Sequence, residues 1–213
     1  MKIEIWSDYV CPFCYIGKRR LEEALEQTGL GDNAEIVFKA YELDPNSPAE
    51  SDAPIQVGLA KKYGMSVEEA KKMTDNVAAQ AQTVGLIYDF DKMTPANTFN
   101  AHRLAKLAEQ EGVDKTVSEN LLKAYFVDGE KIGVDDVLLR IAEEAGISRN
   151  RAKDMLESEE FTEEVKMDIS EAGQLGVKGV PFFVINRKYA ISGAQPADAF
   201  ANALRQAAEE ETQ

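Results

Sequence analysis

The sequence predicts an α/β fold in the order βαβ, a long helical block, then αββα, with the block forming a large inserted all-helical subdomain. Three observations carry this. An apolar strand run at residues 2–7 leads into helical periodicity and then into a second strand run. Turn-forming residues cluster from Asp44 to Pro54, and helical spacing dominates from there to about Gly176. Strand character then returns in a hairpin-like segment before a final helix. The expected domains are residues 1–50 with 165–213, and the insertion 51–164.

Taken in order, residues 2–7 carry Ile3, Ile5 and Trp6, and suit a strand. From Pro12 to about Gln27, Ile16, Leu21 and Leu25 recur at helical intervals, with Lys18, Arg19, Arg20, Glu22 and Glu23 between them. Pro12 fits the first helical turn, where a missing N–H costs nothing. Gly29-Leu30-Gly31-Asp32-Asn33 breaks the helix, and Glu35 to Leu43 reads as the second strand. A right-handed crossover makes these two strands parallel.

In the helical block, Ser66-Val67-Glu68-Glu69 is a capping-box start for a helix to about Val84. Thr94-Pro95 is expected to open another, running to about Gly112. Helices are expected at 114–126, 135–145, 148–158 and from near Glu160 to about Gly176. Pro181–Asn186 and Tyr189–Ser192 then read as strands around a turn at Arg187-Lys188. A last helix follows, ending in an acidic tail, Glu209-Glu210-Glu211, expected to fray.

Composition narrows the function. The chain has 213 residues, 44% of them hydrophobic, enough for a sizeable core. Its formal charge of −14, from 38 acidic and 24 basic side chains, argues against a nucleic-acid partner, which needs basic groups to displace counterions. No run approaches the roughly 18 apolar residues of a membrane span, so no membrane partner is expected. The start, Met1-Lys2-Ile3-Glu4-Ile5-Trp6, has no signal-peptide pattern, and a cytoplasmic location is expected.

The chemistry concentrates in Cys11-Pro12-Phe13-Cys14, which holds both cysteines of the chain. At this spacing, following a strand and opening a helix, two thiols can close into a disulfide and reopen by exchange. Cys11, at the helix start and expected at an exposed tip, is the candidate nucleophile. Cys14, one turn in and expected to be more buried, is the candidate resolving thiol. The helix dipole contributes about 0.3–1 kcal/mol against about 1.4 kcal/mol per pKa unit, so hydrogen bonds must supply the rest of any thiolate stabilisation. Phe13 supplies no charge. Two cysteines and one histidine fall short of the usual four ligands of structural zinc, so no metal is expected.

Gly179-Val180-Pro181 enters the third strand run. A proline there is ordinary for an edge strand, yet it is also where a cis bond would set backbone groups beside a sulfur. Strand–CPFC–helix, the helical insertion and Gly179-Val180-Pro181-Phe182-Phe183 together resemble the DsbA-like branch of the thioredoxin superfamily. Segments 6–12 (WSDYVCP), 97–104 (NTFNAHRL) and 191–195 (ISGAQ) resemble its FrnE-type group, related to 2-hydroxychromene-2-carboxylate isomerase and kappa-class glutathione transferase. The resemblance implies a thioredoxin-like fold and disulfide oxidoreductase activity. It also implies Cys11 as nucleophile, Cys14 as resolving thiol, Pro181 as a cis proline and the Val180 backbone as the substrate's pairing partner. Phe13 departs from DsbA, which carries a histidine between its cysteines.

Pro12, Phe13, Asn97 and His102 are further candidate substrate contacts. Asn97 also reads as a helix cap, and His102 as a structural histidine. Lys39 is weighed as a proton carrier for Cys14 against a snorkelling lysine. Tyr9, Phe13, Tyr15, Phe182 and Phe183 are weighed as an apolar rim for exposed hydrophobic segments and read mainly as core. The expected substrates are protein or small-molecule thiols and disulfides, with no organic cofactor and with glutathione a candidate redox partner. Two rivals stand beside this: a glutathione-dependent isomerase or transferase, and a chaperone-like binding module with regulatory thiols.

Overall fold

The fold comes from a computed structural model that describes residues 1–211. The described chain divides into two compact units: Met1–Leu43 with the chain from Lys166 onward, and Asp44–Val165.

In the first unit four strands form one mixed sheet in the order β2-β1-β3-β4: β1 Lys2–Ser7, β2 Glu35–Ala40, β3 Phe182–Ile185 and β4 Tyr189–Ser192. β1 pairs parallel with β2 and antiparallel with β3, and β3 pairs antiparallel with β4. β1 is thus central. Its alternation sends Ile3 and Ile5 into a core with Leu21, Ala24 and Leu25 of α1 (Pro12–Thr28) and Phe200, Ala201, Leu204 and Ala207 of α9 (Ala197–Glu211). On the other face Trp6 packs with Val184 and with Ala172 of α8 (Thr162–Gln174). Sandwiching the sheet this way buries apolar side chains from both faces, each worth about 1.5–3 kcal/mol when fully buried.

Local chemistry sets the boundaries. α1 starts with Pro12 in its first turn and stops at Gly29, whose left-handed φ of 67° lets its N–H reach back to the last turn. β2 ends at Ala40 rather than near Leu43, because β1 offers no pairing residue beyond Ser7. Tyr41 N–H still reaches Ser7 O at 3.1 Å, and Leu43 N–H turns to the Asp8 carboxylate at 2.8 Å. The hairpin turn falls on Asn186-Arg187, one residue earlier than expected. Both have positive φ (51° and 56°), and Lys188 N–H bonds Ile185 O at 3.0 Å, the type I′ geometry that matches strand twist. Instead of fraying, α9 stays helical to Glu211. Glu210 binds Lys188 and takes a 2.6 Å bond from the Tyr189 hydroxyl, and Glu211 takes one of 2.7 Å from Asn186.

The second unit is helical: α2 Ile55–Tyr63, α3 Val67–Gln82, α4 Phe99–Glu111, α5 Asp114–Lys123, α6 Asp135–Glu144 and α7 Arg149–Leu156. α5 runs on into a π-helical turn over Ala124–Asp128. The capping box of α3 forms as the sequence predicts. α4 begins at Phe99, later than Thr94-Pro95 suggested. The Asn97 side chain accepts Phe99 N–H at 3.0 Å while its own N–H is held by Pro48 O at 2.8 Å, which fixes residues before Phe99 in a turn. The buried Arg103 of α4 donates to the carbonyls of Met155 (2.6 Å), Ser158 and Glu160 (2.8 Å), tying α4 to the chain around α7.

Candidate active site

β1 ends at Ser7, three residues of turn follow, and Cys11 caps α1. Cys11 has an extended backbone and bonds Asp8 O through its N–H at 3.1 Å. This turn delivers both sulfurs to one end of the sheet. They stand 3.2 Å apart and are not joined. A disulfide requires about 2.0 Å, so closure needs only a small approach. The Val180–Pro181 bond is cis, and Cys11 Sγ donates to Val180 O at 3.4 Å.

Burial differs from the sequence expectation. Cys11 is 4% exposed and Cys14 3%, so neither is an exposed tip. The reason is a distant partner: the Cys11 sulfur turns inward to the Val180 carbonyl and toward Cys14. Burial pushes the Cys14 thiol well above its ordinary value of 9.0, and hydrogen bonding to Cys11 and its charge push the same way. The Ser7 hydroxyl and the Asp8 backbone N–H bond to the Cys14 sulfur and pull in the opposite direction.

Ser7 is a contact that sequence reading missed. The signal was present: residues 3, 5 and 7 share the face of β1 that α1 covers, so a serine after two isoleucines points at the redox helix. Gly17 of α1 was missed too. A Cβ there would come within 3.1 Å of both Pro181 Cγ and Phe183 Cζ.

Cys11, Cys14, Val180 and Pro181 are therefore brought together. Pro12 is half-buried beside them, and Phe13 is 37% exposed rather than core. Tyr9, Tyr15 and Phe183 are buried, and Phe182 is half-buried. Asn97 and His102 belong to the helical unit, Asn97 as the turn-former described above and His102 buried in α4. Lys39 forms ion pairs with Asp168 (2.9 Å) and Glu171 (3.4 Å). Burial alone would lower its pKa, but these carboxylates raise it above the ordinary lysine value. Among the described residues no three His, Cys, Asp or Glu side chains gather as a metal site, and no helix is long and apolar enough to cross a membrane.

The family description "DSBA-like thioredoxin domain" matches residues 2–205. The chain belongs to that family. Among DSBA-like structures, one described as a "probable DsbA oxidoreductase", SCO1869 from Streptomyces coelicolor, is 40% identical to this chain. Its TM-score is 0.93, covering 99% of this chain and 91% of that one. YwbO of Bacillus subtilis, itself uncharacterized, is 27% identical over 95% of this chain and 94% of its own length. The structure of 2-hydroxychromene-2-carboxylate isomerase shares the fold at 17% identity and a TM-score of 0.71, covering all of this chain and 98% of its own. The family and fold that the sequence suggested are thus established.

Proposed function

We propose that this DSBA-like protein is a thiol–disulfide oxidoreductase with Cys11 as nucleophile and Cys14 as resolving thiol. The observation that carries the reading is the unjoined sulfur pair, 3.2 Å apart, next to the Val180–Pro181 segment. The Cys11 thiolate attacks a substrate disulfide, forming a mixed disulfide and releasing one substrate thiolate. Cys14 then gives up its proton and attacks Cys11 Sγ. The Cys11–Cys14 bond forms and the second substrate thiolate leaves. Two electrons pass from the dithiol to the substrate, and the released thiolates take up protons.

The roles follow from surroundings. Burial holds Cys14 as a thiol until it is needed. The Ser7 hydroxyl and Asp8 N–H then favour the thiolate it becomes. Val180 is proposed to pair through its backbone with the bound substrate, opposite Pro181, with Pro12 and Phe13 as flanking contacts. The proposed substrates are protein or small-molecule disulfides, with glutathione as redox partner. The chemistry moves electrons between sulfurs and calls for no metal or organic cofactor. A cytoplasmic setting belongs to the proposal, since a reducing pool keeps such a dithiol ready to attack.

The test is a Cys11→Ala variant assayed for reduction of a model protein disulfide and for binding of an unfolded client. Loss of reduction supports the oxidoreductase reading. Undiminished reduction contradicts it. Reduction that is negligible even in the unaltered protein, with client binding intact in both, would assign the thiols to a binding module.

A further inference from the structure

Gly17 sits in the middle of α1, one turn beyond Cys14, with ordinary helical backbone. Glycine there costs conformational entropy relative to alanine, and no positive φ calls for it. Space does. An added Cβ would lie 3.1 Å from Pro181 Cγ, 3.1 Å from Phe183 Cζ and 3.5 Å from Ala194 Cβ. Neither of the two closest atoms is a flexible tip. Pro181 is a buried ring, and Phe183 is fully buried and set edge-on against Phe200 with centroids 4.7 Å apart.

Cys11 caps the helix, and Gly17 and Arg20, three residues apart, are neighbours on its surface. Cys11 Sγ donates to Val180 O at 3.4 Å, Gly17 abuts Pro181 and Phe183, and the Arg20 guanidinium donates to Ala194 O. The first half of the helix therefore lies against the Val180–Pro181 segment and the loop after β4. A Cβ at position 17 would be tighter than ordinary contact, so the neighbours would have to give by a few tenths of an ångström.

We propose that Gly17 is a positioning residue: its missing side chain brings the redox helix close enough for the Cys11 thiol to reach the Val180 carbonyl, and this sets the balance between dithiol and disulfide. The inference rests on the thiol–disulfide reading given above. The S–H···O bond exists only while Cys11 carries its hydrogen; the disulfide has none to donate. A methyl group at position 17 forces helix and segment apart by a few tenths of an ångström and weakens that bond. The dithiol loses a partner and the disulfide loses nothing, so the equilibrium moves toward the disulfide.

The test compares Gly17→Ala with Gly173→Ala, a glycine of α8 whose added Cβ meets nothing within 4 Å. Each protein is equilibrated in glutathione redox buffers, the free thiols are alkylated, and the oxidised fraction is read by intact mass. Gly173→Ala is expected to match the unaltered protein. Gly17→Ala is expected to favour the disulfide by roughly twofold to fivefold, the factor of one weak S–H···O bond. An unchanged balance in folded Gly17→Ala overturns the inference. Should that variant not fold, Arg20→Ala decides. It removes the contact three residues beyond Gly17 that also holds the helix to its neighbouring loop, without adding bulk, and a shift in the same direction supports the inference while no shift overturns it. If the unaltered protein forms no reversible Cys11–Cys14 disulfide, the reading of the site fails. If it does and only the Gly17 effect is missing, this inference alone fails.

Discussion

The two faces of β1 both bury polar chemistry, and they bury it in opposite ways. On the α8 face, Glu4 and Asp168 are 2% and 4% exposed, and every charge has a partner. Lys39 bonds Asp168 at 2.9 Å, Ala40 N–H bonds the same carboxylate at 3.0 Å, and Arg187 bridges Glu171 at 2.6 Å and the Glu4 carboxylate. Trp6 Nε1 adds a 2.9 Å bond to Asp168 O. On the α1 face, two sulfurs are buried among uncharged donors and acceptors: each other, the Val180 carbonyl, the Ser7 hydroxyl and the Asp8 N–H. Completed ion pairs hold a structure still. Buried neutral thiols, one bond short of a disulfide, keep chemistry in reserve. On the proposed function, the difference separates a structural cluster from a reactive one, although both are buried and polar.

The largest effects are expected on the sulfur face. Cys11→Ser is expected to lower the rate of disulfide reduction by on the order of a thousandfold or more, because a serine hydroxyl is no thiolate nucleophile. Cys14→Ser should leave the first attack intact. A mixed disulfide at Cys11 then accumulates, visible as added mass on the intact protein and removable by dithiothreitol. Failure to trap that species would remove Cys14 from the resolving role.

On the ion face the loss should be one of stability. Asp168→Ala leaves a half-buried lysine and an unpaired Ala40 N–H, and is expected to cost about 3–5 kcal/mol in urea unfolding. The dithiol–disulfide balance of the folded variant should not move. A variant that stays as stable but shifts that balance would merge the two clusters into one.

The smallest expected effects are in pH, at opposite ends of the scale. Arg187 hydrogen-bonds Glu171 and holds its carboxyl below the ordinary value of 4.5, against a smaller opposing effect of burial. A depressed carboxyl contributes stability above pH 4.5 that is lost as pH falls through its folded value, and Glu171→Gln should flatten that acid limb. Cys14 behaves inversely. With its folded pKa raised, its contribution is complete below pH 9.0 and declines as pH rises beyond it, since the unfolded thiol ionises first. The reduced protein should therefore lose stability above pH 9.0 relative to the oxidised protein, which has no thiol to ionise there. Parallel urea titrations of the two forms at pH 8 and pH 10 check this.

Much of the site was legible because it is local. CPFC lies within one helical turn, and Pro12 marks the helix start. Val180-Pro181 was legible as a place where a cis bond could set backbone groups beside a sulfur, and the resemblance to DsbA-like proteins assigned it to the Cys11–Cys14 pair. Strands showed through their alternation, but their ends depended on partners: β2 stops where β1 stops. The exposure of Cys11 was misjudged because a helix N-terminus is usually open, and the Val180 carbonyl that draws the sulfur inward lies 169 positions away. Lys39 was read alone. Its partner Asp168 lies 129 positions on, brought near by the packing of α8. Gly17 carried no signal beyond being a glycine in a helix. Its meaning comes from the side chains it lets approach.

Cys11 and Cys14 are proposed to form a reversible two-electron couple. Redox titration in glutathione buffers, with free thiols alkylated and counted by intact mass, tests it most directly. One transition is expected between a species with two free thiols and one with none, absent in Cys11→Ser and Cys14→Ser. A protein that keeps both thiols across the range, or that ends as a stable glutathione adduct on Cys11 with Cys14 still free, would contradict it.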